Sequence, residues 1–284
     1  MHGRILAVAL MALIGCTEVN EPTPNAPPQP VASAFDASNT GTIQGRVVWD
    51  GDVPVAEPMV VSTIAFNPLL FKKPVHCTLP HYPRVNSETH GVSDAVVFLR
   101  GVDPKVAKPW DHAEVSVEFQ DRAMRIHQGK DVSSVGFAKL GSTIDIVNRD
   151  AEYHLLRGRG AAFFTAPLQK PNEVSKRTLA KPGIVDLTSG AGYYWLHGHL
   201  FVAEHPYFVR TDAAGNFHLD QVPAGTYELV CWMPNYTVTR RERDPETSVL
   251  VRLIWAEAKE QVQTIQVRPG QAADATYRWR ADQF

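Results

Sequence analysis

Cysteine is scarce in this 284-residue chain, which contains only Cys16, Cys77 and Cys231. Three cysteines are too few for a disulfide-rich secreted scaffold, because such folds depend on several cross-links. An excess of charge of one sign is also lacking, since 28 basic and 30 acidic residues leave a net charge of -2. Without a basic stripe, nucleic-acid binding has little support, and we expect no nucleic-acid partner.

The motifs that mark common catalytic sites are absent as well. The sequence has no G-x-S-x-G elbow, no phosphate-binding loop, no H-E-x-x-H zinc motif and no C-x-x-C-H haem site. Each of these motifs places reactive groups at the spacing that its chemistry requires. We therefore predict that the protein is not an enzyme.

No apolar run reaches the roughly 20 residues that a membrane-spanning helix needs. The run at residues 5–15 follows Arg4 and ends with Leu13, Ile14 and Gly15 immediately before Cys16. This pattern is typical of a secretory signal with a lipoprotein processing box. The segment resembles the leader of bacterial lipoproteins, which implies lipidation of Cys16 and a membrane anchor in the cell envelope. The resemblance places the protein facing the periplasm or the surface, and Thr17 favours the outer membrane.

Residues 17–41 contain few apolar side chains that a core could bury. Five prolines fall between positions 22 and 30, among threonine, asparagine, alanine and glutamine. Such a segment is semi-extended, at about 3 Å per residue where proline is dense. We predict a linker that holds the folded body away from the lipid surface.

Helical periodicity is nearly absent from the remaining chain, and short alternating strands take its place. Residues 42–49 alternate apolar and polar side chains before a turn at Asp50, Gly51 and Asp52. Further strand patterns occupy residues 93–99, 143–148, 202–208, 216–219, 227–232, 249–255 and 262–267. Many short strands separated by turn residues predict an all-β fold built from sandwiches.

Residues 207–232 carry a recognisable strand-turn-strand motif. Asp212 and Gly215 supply a tight turn, and Pro223 begins a chain reversal before Tyr227. The motif resembles the second half of a carboxypeptidase regulatory-like domain, which implies a transthyretin-like, carbohydrate-binding-like sandwich. The opening of such a domain has a counterpart at residues 41–47. We therefore predict one sandwich formed by residues 42–105 and 206–284.

Residues 106–205 would then form an inserted domain. Residues 141–150, followed by His154, and the strand pattern at residues 184–187 resemble a cupredoxin. In that family the last loop spaces its copper ligands as Cys-x-x-His-x-x-Met, but here Gly190, Tyr193 and Leu196 occupy those positions. The resemblance implies a cupredoxin-like sandwich without the blue-copper ligands.

A different metal site remains an alternative for this domain. His197 and His199 lie two residues apart, so on a strand they project from the same face. With His154 they form the candidate metal set, since imidazole suits Cu(II) and Zn(II). The alternative to a ligand role is that all three histidines are structural. We expect no cofactor, with copper as the alternative.

Two further interpretations concern aromatic and sulfur side chains. Tyr193, Trp195 and Trp232 could stack on a glycan, or they could be core and interface residues. Cys77 and Cys231 could form a disulfide that joins the two halves of the interrupted sandwich, or both could be buried free thiols. The leading hypothesis is a non-enzymatic, lipid-anchored envelope protein with a binding or scaffold role toward a glycan or an envelope protein. The alternative is a copper-binding or electron-transfer protein.

Overall fold

The computed structural model describes residues 34–56, 59–61, 75–77, 79–246 and 248–284. The predicted signal peptide, Cys16 and most of the linker lie outside the described residues, as does the side chain of Cys77. Within the described ranges, no helix has the length and apolar character needed to cross a membrane.

The described chain is almost entirely β-structure, which confirms the all-β prediction. Two short 3-10 turns, Ala37–Asn39 and Ala281–Gln283, accompany the strands. In chain order the strands are β1 (Thr40–Trp49), β2 (Met59–Val61), β3 (Val75–Cys77), β4 (Arg84–Val85), β5 (Val92–Ser93), β6 (Val96–Arg100), β7 (Val115–Gln120), β8 (Ala123–Gln128), β9 (Asp131–Ser133), β10 (Val135–Lys139), β11 (Thr143–Asn148), β12 (His154–Gly160), β13 (Phe164–Leu168), β14 (Val174–Thr178), β15 (Gly183–Ser189), β16 (His197–Ala203), β17 (Phe208–Arg210), β18 (Asn216–Pro223), β19 (Gly225–Met233), β20 (Val238–Arg243), β21 (Leu250–Trp255), β22 (Lys259–Val267) and β23 (Ala272–Trp279).

Two sheets built from both ends of the described chain enclose the first core. One has the order β18-β1-β23 and the other has the order β17-β6-β19-β22. Their shared core includes Ile43, Val47, Leu229, Tyr277 and Trp279, all at most 2% exposed. The strands on either side of residues 115–203 therefore fold together, in the order that an interrupted sandwich predicts.

Two five-stranded sheets from the middle of the chain enclose a second core. Their strand orders are β10-β16-β15-β12-β13 and β14-β11-β7-β8-β9. Phe119, Ile146, Leu156 and Leu187 are fully buried between them. The domain boundaries at residues 105 and 206 remain a prediction, although the strand membership of the sheets is consistent with them.

A third apolar cluster joins the outer faces of the two sandwiches. It contains Phe98, Phe137, Phe201, Phe208 and Trp232, which come from strands of both. Strand β16 contributes to two cores at once, because Leu200 and Val202 face the second core while Phe201 and Ala203 face this cluster. Since side chains alternate along a strand, every residue of β16 is buried.

The turn predicted around Asp212 is confirmed. The Asp212 carboxylate accepts hydrogen bonds from the backbone N–H groups of Ala214 and Asn216 at 2.9 and 2.8 Å. Gly215 has φ +82°, a conformation that glycine adopts without steric cost. This geometry connects β17 to β18 and places Phe217 and Leu219 in the first core.

The folded body begins earlier than the predicted end of the linker at residue 41. Strand β1 starts at Thr40, and the Asp36 side chain caps the 3-10 turn at Ala37–Asn39. The backbone N–H of Ala34 also donates to the carbonyl of Lys105 at 2.8 Å. These contacts attach residues 34–41 to the body, because a short polar segment gains order once its backbone groups find partners.

Cys231 is fully buried and has no disulfide partner among the residues whose side chains the structure describes. Its Sγ accepts a hydrogen bond from Nε1 of Trp279 at 3.4 Å, and burial raises its pKa to about 12. The pairing with Cys77 stays a prediction, because the Cys77 side chain lies outside the described residues.

We expect Cys231 to be chemically inert in the native protein, because only the exposed thiolate reacts with disulfide reagents. In a variant carrying Cys16→Ser and Cys77→Ser, a colorimetric disulfide reagent should detect no thiol under native conditions and one thiol after denaturation. Reaction of native Cys231 at the rate of a small-molecule thiol would contradict this burial. A thiol count on the denatured, unreduced parent protein tests the Cys77 pairing separately.

Candidate metal site

His197 and His199 lie on one face of β16, as their spacing predicts. They share this face with Phe201 and Ala203, so they point toward the first sandwich and away from the second core. Their ring centroids are 4.8 Å apart, and both residues are less than 9% exposed. The two imidazoles therefore extend the apolar interface between the sandwiches.

His81 completes a group of three histidines at this interface. It lies between β3 and β4, is 4% exposed, and has its ring centroid 4.2 Å from that of His197 and 5.5 Å from that of His199. One nitrogen of each residue can be chosen so that all three lie within 4.8 Å of one another. We refer to His81, His197 and His199 as the histidine cluster.

Hydrogen bonds fix which nitrogen of His81 and His197 carries a lone pair. Nδ1 of His81 lies 2.9 Å from the carbonyl oxygen of Asn235, so it must be the donor and Nε2 must hold the lone pair of the neutral ring. Nε2 of His197 donates to the Asp186 carboxylate, which leaves the lone pair on Nδ1. Among the described residues, neither of these lone-pair nitrogens has a hydrogen-bond partner, although both are buried.

Asp186 holds the cluster from the neighbouring strand β15. Its Cα lies opposite that of His199 in the antiparallel pairing, and its Oδ1 is 3.5 Å from Nε2 of His199. Burial alone would raise the pKa of Asp186, but the hydrogen bond from His197 and the charges of His197, His199 and Arg252 together outweigh it and hold the pKa below the ordinary value. Asp186 is therefore an ionised acceptor that orients His197 and lies close to His199.

Burial keeps the imidazoles of His81 and His199 neutral. It lowers the pKa of His199 to about 3, with His197 as a second cause. Burial and the two neighbouring histidines also hold the pKa of His81 well below 6.5. A metal ion needs neutral imidazole, so binding at neutral pH would not have to displace protons from these two rings.

Two tryptophans enclose the cluster. The ring of Trp232 lies edge-on to His199 at 4.8 Å between centroids, and the ring of Trp255 lies 4.3 Å from His81. All three histidines border a cavity of about 280 Å³, whose wall also includes Asp186, Thr188 and Arg252. The site thus combines nitrogen ligands, a dry aromatic wall and an opening on one side.

His154 is not a member of this cluster, which corrects the metal set expected from the sequence. It begins β12, in the same sheet as β16, but faces the second core together with Leu156. There its ring stacks on Phe119 at 4.3 Å, and its Nε2 lies 3.0 Å from Oδ2 of Asp150. His154 and the pair on β16 therefore lie on opposite faces of one sheet, and His81 takes the third place.

The aromatic residues considered for glycan stacking are buried. Tyr193 and Trp195 are each 6% exposed and Trp232 is 2% exposed. Tyr193 packs against His154, and Nε1 of Trp195 donates to the carbonyl of Arg122. A sugar ring needs an exposed aromatic face, so the structure assigns these three side chains to packing.

The loop at Gly190, Tyr193 and Leu196 packs against the second core. Leu196 is 3% exposed, and a Cβ on Gly190 would come within 2.6 Å of Nε of Arg157. No thiolate or thioether occupies these three positions. Cys231 does not replace the missing thiolate at the histidine cluster, since it faces the first core while its neighbour Trp232 faces His199.

No protein-family model matches the chain, and no curated protein matches it either. Solved structures similar to part of the chain are cupredoxins. An oxidised mutant of amicyanin is 18% identical over 32% of this chain and 82% of its own, with a TM-score of 0.26. A purple cupredoxin from Nitrosopumilus maritimus is 12% identical over 32% of this chain and 99% of its own, also with a TM-score of 0.26. A reduced, Cu(I) form of another amicyanin mutant is 16% identical over 38% of this chain and 98% of its own, with a TM-score of 0.27.

If the histidine cluster holds a metal ion, replacing Asp186 with asparagine should weaken metal binding without removing a ligand. The oxygen of the asparagine amide can still accept the hydrogen bond from His197. The negative charge that makes the imidazole a stronger metal ligand is lost. Changes of this kind cost about 10-fold to 100-fold in metal affinity. Competition titration of Cu(II) against a chelator measures the loss. Asp145→Asn, an exposed carboxylate on β11 paired with Lys176, is the matched control; equal affinities of the two variants would exclude this role for Asp186.

Proposed function

We propose that the protein is a non-enzymatic, lipid-anchored envelope protein that binds one transition-metal ion through His81, His197 and His199. The observation that carries this proposal is the pair of buried, unpartnered lone pairs on Nε2 of His81 and Nδ1 of His197. A buried polar atom without a partner costs about 1–3 kcal/mol. Packing alone would leave that cost uncompensated at both atoms, whereas a cation shared by the rings offsets it.

The arrangement has the features of a three-histidine site. His81 and His197 each use their second nitrogen to donate, one to a backbone carbonyl and one to a carboxylate. Metal-bound histidines are held in this way, because the donated hydrogen bond fixes the ring and its tautomer. Bonds of about 2.0–2.1 Å place two ligand nitrogens of a tetrahedral site about 3.3 Å apart. From a spread of 4.8 Å, modest side-chain rotation closes the cluster onto an ion.

Cu(II) is the metal that the donor set favours. Imidazole binds both Cu(II) and Zn(II), and the Irving–Williams order ranks Cu(II) above Zn(II) at the same nitrogen ligands. With Cys231 on the opposite face of β19, the described residues offer no thiolate to the cluster. We therefore expect a thiolate-free copper site, without the intense blue band of cupredoxins.

Titration of the purified, metal-free protein with Cu(II) tests this function. We expect one equivalent to bind, with an electron paramagnetic resonance spectrum showing nitrogen ligands and no thiolate absorption. The double variant His197→Gln, His199→Gln should lose this binding while its circular dichroism spectrum remains that of a β-protein. Absence of stoichiometric binding by the parent protein would refute the proposal, and an intense blue thiolate band would refute the ligand set.

A further inference from the structure

The histidine cluster offers only three ligands, and the fourth side of the site opens on the cavity of about 280 Å³. Asp186 is not free to supply the fourth ligand through Oδ1, because that oxygen already accepts from His197 and lies 3.5 Å from His199. Asn235 is occupied as well, since its side chain bonds the carbonyl of Glu257 and the N–H of Thr237. Three-ligand sites in proteins characteristically keep an open position for solvent or a small ligand.

The charge at the cavity favours an anion in that position. Three neutral imidazoles leave a bound Cu(II) ion with its double positive charge, of which Asp186 offsets one unit. Arg252 lies on the cavity wall, with its side chain 36% exposed. Its ion pair in the described chain is with Oε2 of Glu242 at 3.5 Å, and Arg240 holds the other oxygen of the same group, while the charge of Arg252 also helps to lower the pKa of Asp186. Two guanidinium groups therefore share one carboxylate, and a net positive charge remains beside the cavity.

The cavity also has the size for such a ligand. Its volume is several times the roughly 30 Å³ that one water molecule takes in the liquid. Trp232 and Trp255 form rigid walls on either side of the histidines, which limits the space directly over the metal position. A ligand of a few atoms fits this space better than an extended substrate.

We propose that the metal bound by the histidine cluster keeps one open coordination position facing this cavity, and that a small anion binds there with Arg252 supplying the second positive charge. This inference rests on the proposed metal-binding function. It adds a ligand class to the site, namely inorganic anions or carboxylates of a few atoms. It also assigns Arg252 as the residue that makes the site selective for anions.

Titration of the Cu(II)-loaded protein with azide tests the inference. Azide bound directly to Cu(II) produces a charge-transfer band in the near ultraviolet, and we expect this band to saturate at one azide per copper. Arg252→Gln should weaken azide binding by about 3-fold to 10-fold at low salt. Arg241→Gln, an exposed arginine of the same hairpin that does not border the cavity, is the matched control for charge and should leave azide affinity unchanged.

The outcomes separate this inference from the metal-binding function. If one copper binds but azide produces no band, the open position is refuted while the metal site stands. If azide binds equally well to the Arg252→Gln and Arg241→Gln proteins, the anion does not use this cavity wall, and the assignment of Arg252 is wrong. If copper itself does not bind, the failure lies with the proposed function.

Discussion

Replacing His81 with glutamine should reduce Cu(II) affinity by at least about 100-fold, more than the loss expected from changes to residues that only orient a ligand. His81 is one of the three proposed ligands and carries one of the two unpartnered lone pairs of the histidine cluster. Glutamine keeps a polar side chain at the site but cannot present an imidazole nitrogen. Chelator competition measures the affinity, and the electron paramagnetic resonance spectrum should show one fewer nitrogen ligand.

Variants of two other histidines provide the comparison and the control for this test. His154→Gln separates the structural site from the set expected from the sequence, because His154 lies on the other face of the sheet. We expect copper affinity to be unchanged in His154→Gln, although removing a buried hydrogen-bonded ring destabilises the second core. His218→Gln, on the exposed face of β18, controls for general loss of histidine. If His154→Gln abolishes copper binding and His81→Gln does not, the histidine cluster is not the metal site.

The sequence predicts the members of the site that are close together in the chain. His197 and His199 share a face because strand side chains alternate, and that local rule needs no tertiary information. His81 could not be found in this way. It lies in a turn, 116 residues before His197 in the sequence, and only the packing of the two sandwiches brings it to β16.

The same alternation rule explains why the sequence alone groups His154 with His197 and His199. Spacing along the chain shows that His154 opens a strand, but it does not show which face of the sheet that strand presents to which core. Leu156 and Phe119 assign the His154 face to the second core. Phe201 and Trp232 assign the β16 histidines to the interface cluster. Periodicity predicts which residues share a face of a strand. Only the packing of the sheets shows which core each face contacts.

The sequence predicts the fold class more readily than the site, because turn residues and the alternation of apolar and polar residues are local features. The strand predicted at residues 42–49 is observed as Thr40–Trp49, and the turn of Asp212 has the expected hydrogen bonds. The strand predicted at residues 262–267 is longer in the structure, since Lys259–Val267 forms β22 against β19. Strand β22 lies at the edge of its sheet with alternate residues exposed. Its first residues are polar, so they lack the apolar-polar alternation from which a strand is predicted.

Acidification should destabilise the metal-free protein, because burial lowers the pKa values of several histidines, both in the histidine cluster and outside it. Burial lowers the pKa of His205 to about 4, and burial also lowers the pKa values of His112 and His154. In the unfolded chain these groups return to about 6.5. Between these values the unfolded chain binds protons that the folded protein does not, so the free energy of unfolding falls as pH falls.

The pH range and the size of the part of this destabilisation that comes from His205 follow from its pKa. The stability that neutral His205 contributes to the free energy of unfolding is complete above pH 6.5. It is lost progressively as the pH falls toward 4, where the folded protein also takes up the proton. Between about pH 7 and about pH 5 this amounts to about 2 kcal/mol. Urea denaturation in the presence of a chelator, at both pH values, measures the change for the parent protein.

A variant isolates His205 from every other titrating group. His205 stacks on Phe208 at 5.4 Å between ring centroids, and its Nδ1 has no hydrogen-bond partner among the described residues. His205→Gln removes the proton-binding ring, so its stability should fall less between the two pH values than that of the parent protein. The exposed control His218→Gln should keep the full pH dependence. Because both variants lose one histidine, an equal pH dependence in the two would show that His205 takes up its proton without unfolding. The junction between the sandwiches would then be more hydrated than its packing against Phe208 indicates.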